Sequence, residues 1–116
     1  MQVLGPDDSD STEAVDGVHL SLLAGGEEMN VQRFEIDPDA VVPEHDHPHE
    51  QTGVVLSGTL TFVLADGTEK VVGPGDTYAI PGGEPHGAEN RTDEVVEGID
   101  VFAPPRTDPA WQDDVE

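Results

Sequence analysis

Apolar and polar side chains alternate with a period of two through most of the middle of the chain, the pattern of half-buried β-strands. Residues 18–23 open the series, Gly25-Gly26 makes a turn, and residues 30–36 form the cleanest run, with Val31, Arg33 and Glu35 on one face and Gln32, Phe34 and Ile36 on the other. Asp37-Pro38-Asp39 closes that run, residues 41–47 lead into a histidine-rich stretch, and residues 52–57 continue as a mostly apolar strand ending at Ser57-Gly58. Residues 59–65 and 68–72 read as a hairpin around Asp66-Gly67, a favoured tight-turn pair. Gly73-Pro74-Gly75-Asp76 turns the chain again. A short strand at 77–80, a loop at 81–85, a strand from His86 toward Glu89 and a last long apolar strand over 94–102 follow. Glycine and proline interrupt nearly every window of helical length and none carries a 3.6-residue period, which leaves a short helix around Trp111 as the helical candidate. The expectation is about nine or ten short strands in a β-sandwich or β-barrel.

Composition narrows the partners. A chain of 116 residues has room for one compact domain with a modest core. Its 26 acidic residues against Arg33, Lys70, Arg91 and Arg106 give a net charge of −22, which repels nucleic acid and anionic membrane surfaces. The acids run through the whole chain, the pattern expected of a halophilic protein living in concentrated salt, where screening shortens the reach of repulsion. No stretch is long and apolar enough to span a membrane, and the amino terminus lacks a secretion-signal pattern, so a soluble cytoplasmic protein is expected. With no cysteine, any metal must be held by nitrogen and oxygen.

Four of the five histidines fall in two turn-flanked segments, residues 45–51 and the stretch that delivers His86. Imidazole suits divalent first-row metals, and a site needs several such groups converging from distant parts of the chain. If residues 45–51 are extended, His45, His47, His49 and Gln51 share one face, while Asp46 and Glu50 point away and are the poorer ligand candidates. Pro48 leaves a slipped register open. Together the two segments read as one mononuclear metal site. His19 has no motif around it and reads as structural.

These residues resemble the cupin superfamily, small jelly-roll β-barrels with a metal in the barrel mouth. The first family motif runs His-x-His, three or four residues, Glu, six residues, Gly, and His45, His47, Gln51 and Gly58 meet it with Gln51 where Glu is usual. The second runs Gly, five residues, Pro-x-Gly, two residues, His, three residues, Asn, and Gly75, Pro81, Gly83, His86 and Asn90 fit it throughout. The resemblance implies an all-β cupin jelly roll over residues 17–106, flanked by a loosely ordered acidic arm at 1–16 and an acidic tail at 107–116. It implies one divalent transition metal ion held by His45, His47, Gln51 and His86, with nickel, manganese, iron, zinc and cobalt all acceptable to such ligands. A neutral Gln51 leaves the ion more of its positive charge than Glu would, which favours polarising an oxygen-rich substrate over oxygen activation by ferrous iron.

A narrower resemblance follows. Residues 45–51, His-Asp-His-Pro-His-Glu-Gln, and 54–58, Val-Val-Leu-Ser-Gly, are similar to the small cupins that convert unsaturated uronates from pectin and alginate breakdown into linear keto acids. Those cupins carry an Asp-x-Phe-x-x-x-Arg element on the strand leaving the barrel, matched here by Asp100, Phe102 and Arg106. The resemblance implies a metal-dependent isomerase acting on an acidic sugar, and a homodimer. Asp100 is then a general acid or base, or else a structural carboxylate; Phe102 shapes the pocket; Arg106 pairs with a uronate carboxylate or with a surface acid. The competing classes are a cupin dioxygenase and a non-enzymatic, metal-dependent sugar-binding cupin.

Overall fold

In the computed structural model, which describes residues 1–107, the alternating segments become ten strands, and there is no helix among the described residues. They are β1 (Thr12–Val15), β2 (Val18–Gly25), β3 (Asn30–Ile36), β4 (Val41–His45), β5 (Glu50–Ser57), β6 (Leu60–Leu64), β7 (Glu69–Val72), β8 (Thr77–Ile80), β9 (His86–Glu89) and β10 (Val96–Ala103). Two antiparallel sheets face each other, one of six strands in the order β1-β2-β3-β10-β5-β8 and one of four in the order β4-β9-β6-β7. The period-two pattern is the reason: along β3 and β10 every second residue is buried. Phe34, Ile36, Val55, Leu60, Val96 and Phe102 are among the side chains that fill the space between the sheets.

Register decides which side chains become neighbours. On the inner face of the larger sheet one row runs Gln32, Asp100, Gly53, Tyr78 across β3, β10, β5 and β8, and the next runs Asn30, Phe102, Gln51, Ile80. These two rows carry Asn30, Gln32, Gln51 and Asp100, buried polar residues set beside the apolar core.

Three expectations change. Residues 45–51 are not one strand: β4 ends at His45, β5 starts at Glu50, and the two lie in different sheets. The bend at residues 46–49 contains Pro48, which has no N–H to offer a ladder, and Gly83 N–H instead donates to the His47 carbonyl at 2.8 Å. The shared parity of the histidines is therefore not what brings them together. Within the expected arm, Thr12–Val15 forms edge strand β1, paired with Leu20, His19 and Val18 of β2. The hairpin at Asp66-Gly67 closes through a three-residue loop, with Leu64 N–H donating to the Thr68 carbonyl at 2.9 Å and Gly67 at φ 85°, a left-handed conformation that glycine adopts without steric cost. The helix expected around Trp111 and the tail beyond Thr107 lie outside the described residues.

Candidate metal centre

His45 and His86 are cross-strand partners where β4 ends and β9 begins. His47 enters from the bend, and its ring centroid lies 5.5 Å from that of His45 and 5.2 Å from that of His86. One ligand atom from each of the three histidines lies within 4.8 Å of the others. Every ring is aimed in the same way. Nδ1 of His45 bonds the Pro43 carbonyl at 2.9 Å, Nδ1 of His47 the His49 carbonyl at 3.1 Å, and Nδ1 of His86 the Glu84 carbonyl at 2.9 Å. A carbonyl only accepts, so Nδ1 carries the proton in each ring and Nε2 keeps its lone pair.

Burial favours the neutral form of His45 and His47. Desolvation, then the positive charge of Arg106 and the neighbouring imidazoles, pushes His47 down to about 4; desolvation also lowers His45. Gln51 sets its amide oxygen 3.2 Å from Nε2 of His47, adding an oxygen beside the three nitrogens. Three convergent imidazoles with hydrogen-bonded second nitrogens fit a divalent first-row metal ion. His49 supplies the carbonyl that orients His47, and its ring packs 5.4 Å from the His47 ring. His19 stands apart, with Nε2 3.1 Å from Asp37 Oδ2.

Asp100, Phe102 and Arg106 close around the same space. Asp100 and Phe102 both face inward and are 6% and 1% exposed. Burial pushes the Asp100 carboxyl up to about 6, against the opposing pull of hydrogen bonds from Tyr78 and Gln51 and of the Arg106 charge. The Tyr78 hydroxyl donates to Asp100 Oδ1, and burial followed by that carboxylate drives the phenol well above its ordinary range. The two reach each other across Gly53, their common neighbour in register; a Cβ there would overlap both. Phe102 meets the His47 ring edge to face at 5.6 Å, and the buried Arg106 guanidinium lies 5.3 Å from the Phe102 ring centre. A cavity of about 110 Å³ is lined by residues that include His45, Gln51, His86, Tyr78, Asp100 and Arg106.

A family profile described as a cupin domain matches residues 32–102. The chain belongs to the cupin family. Its two sheets are those of the cupin jelly roll, and the resemblance read from the two histidine motifs holds. KdgF from Halomonas sp. superposes on this cupin with a TM-score of 0.82 at 26% identity, covering 93% of this chain and 97% of that one. The polyketide cyclase RemF from Streptomyces resistomycificus superposes with a TM-score of 0.80 at 27% identity over 89% of this chain and 79% of its own. A Bacillus subtilis protein named H2HPP isomerase is 38% identical over 66 residues, 57% of this cupin. The match spans 28% of that relative's length.

Sequence reasoning missed Asn30, Gly53 and Tyr78. Asn30 is 1% exposed and grips the main chain of Arg106, accepting from its N–H at 2.6 Å and donating to its carbonyl at 3.5 Å. The signal for all three is strand register, which no single segment displays. Asn90, the last residue of the second motif, has a structural part: its amide donates to the carbonyls of Ile36, Asp37 and Glu94 at 3.0, 3.2 and 2.7 Å, tying the end of β3 to the β9–β10 connection.

Proposed function

We propose that this cupin is a metal-dependent isomerase that linearises 4,5-unsaturated uronates, as released in pectin or alginate breakdown, to keto-deoxyuronates. In this reading His45, His47, Gln51 and His86 hold one divalent ion, and Asp100, Phe102 and Arg106 form the catalytic side of the cavity. The observation that supports it most is the Asp100 carboxyl, raised to about 6 and opening on the same cavity as the histidines and Arg106. The isomerase name of the Bacillus subtilis relative points to the same class of reaction.

When bound, the ion supplies electrophilic assistance to substrate oxygens. Arg106 pairs with the substrate carboxylate, and Phe102 beneath it lines the site with apolar surface and excludes water. Asp100 accepts the proton of the anomeric hydroxyl as the bond from C1 to the ring oxygen breaks, and the anomeric carbon becomes a carbonyl. The electron pair released to the ring oxygen forms a C5 carbonyl as the former double bond takes a proton from Asp100 at C4. One proton moves within the substrate and no redox partner is needed. A carboxyl titrating near 6 can both accept and return that proton near neutral pH.

The test follows the ultraviolet absorbance of the conjugated double bond of an unsaturated uronate at molar salt, with and without a chelator. Loss of absorbance above the spontaneous rate, stopped by the chelator, is the expected result; no acceleration by a folded, metal-loaded sample sinks the reading. We take the working unit to be a homodimer, since edge strand β1 leaves one side of the larger sheet without a strand partner among the described residues, and light scattering in solution tests that.

A further inference from the structure

Tyr78 has no place in either histidine motif, and yet its hydroxyl reaches the deepest carboxylate of the cavity. Two packing facts hold it there. Its ring lies 4.7 Å from that of Phe62 in the opposite sheet, which fixes the direction of the phenol. Gly53, between Tyr78 and Asp100 in the strand register, contributes no side chain, so the two side chains meet over β5 in space that any other residue would fill.

Asp100 also stands diagonally across from Gln51, because Phe102 is the direct partner of Gln51 and Asp100 that of Gly53. Diagonal neighbours on one face lie within reach of long side chains, and the Gln51 amide acts on Asp100 as a hydrogen-bond donor. A carboxylate accepts only, so it draws the NH2 end of the amide. The oxygen end is then turned to His47, where it lies 3.2 Å from Nε2.

We propose that Tyr78 is a positioning residue for the metal centre: through the gap at Gly53 it holds Asp100, and Asp100 fixes the amide of Gln51 with its oxygen toward the three histidines. The inference rests on the metal reading of the site and is independent of which sugar, if any, is turned over. It also gives Asp100 a second duty, as the acceptor that orients Gln51.

The test is cobalt(II) titration of the full chain, read by competition with a chromophoric chelator and by the visible absorption of the bound ion. Tyr78→Phe keeps the ring against Phe62 and removes only the hydroxyl. The expected result is an affinity about 10-fold weaker or more, the range typical of groups that orient metal ligands, with an altered visible spectrum in a metal-free protein that stays folded but melts somewhat lower, having lost a donor to buried Asp100. Equal affinity and an identical spectrum in a folded Tyr78→Phe overturn the inference and leave the metal reading intact. A wild-type protein that takes up no cobalt overturns both. Since Tyr78 is the only tyrosine, ring-labelled tyrosine gives one set of NMR signals even if the variant does not fold. Those signals should shift when the wild type is loaded with zinc, and their standing still at saturation overturns the inference as well.

Discussion

His45 and His86 face each other across the β4–β9 ladder with ring centroids 4.5 Å apart. Both rings are already fixed through Nδ1 by main-chain carbonyls two residues earlier, those of Pro43 and Glu84. Little rearrangement is then needed to bind, and occupancy should appear directly as stability. At a metal concentration about 100 times Kd, a bound ion adds about 2.7 kcal/mol. Thermal melts of wild type with and without zinc should differ accordingly, and His86→Ala should abolish the difference. A His86→Ala variant stabilised as much as wild type would remove His86 from the site.

Asp100→Ala should lose uronate turnover at least about 100-fold even at saturating metal, since general acid–base groups contribute about that much or more. Steady-state rates at several metal concentrations check it. Recovery of full activity on adding metal would leave Asp100 with the orienting duty alone.

Gly53→Ala places a methyl group between Tyr78 and Asp100. Overpacking of this kind costs about 1–3 kcal/mol. Urea unfolding should show a lower midpoint with an unchanged slope, and an unchanged midpoint would mean that the strands part more easily than the packing implies.

The His19 imidazole is raised above its ordinary value, first by its hydrogen bond to Asp37 and further by the charges of Asp37, Glu13 and Glu35, against a lowering by burial. A raised folded-state value means that the stabilisation is fully present below the unfolded value of about 6.5 and is lost as pH rises through the folded one. The pair is half exposed, so the effect is about 0.5 kcal/mol. His19→Gln should flatten the change in stability as pH rises from about 6 through the raised titration, measured by urea midpoints. The same slope in the variant would assign it to another group.

With a net charge of −22, stability should climb steeply between dilute buffer and molar salt. Screening reaches about 10 Å at 0.1 M and about 3 Å at 1 M. Arg33 is already engaged by Glu35 and Glu97, and Arg91 by Glu69 and Glu89, so these cations are committed to neighbouring acids. Melting curves across a salt series test this, and full stability in dilute buffer would sink the halophilic reading.

The fold was legible wherever one face of a strand is wet and the other dry. Along β3, Val31, Arg33 and Glu35 are half-buried outside and Gln32, Phe34 and Ile36 buried inside, as the alternation required. β1 was hidden because Thr12–Val15 is short and sits among acids, and its order comes from pairing with β2. The histidines were legible as chemistry, but the parity argument assumed one strand where the chain bends at Pro48 and changes sheets. Tyr78 could not be found from its own segment. Its importance comes from Gly53, which lies between Tyr78 and Asp100 in the sheet but far from both in sequence, and only register makes the three adjacent.

His45 and His86 belong to the four-stranded sheet, and Gln51, Asp100 and Tyr78 to the six-stranded one. An ion gripped from both sides would act as a clasp between the layers. Such a clasp would slow the local opening of that end of the sandwich without changing its resting shape, so amide exchange in β4 and β9 should slow when the ion is bound.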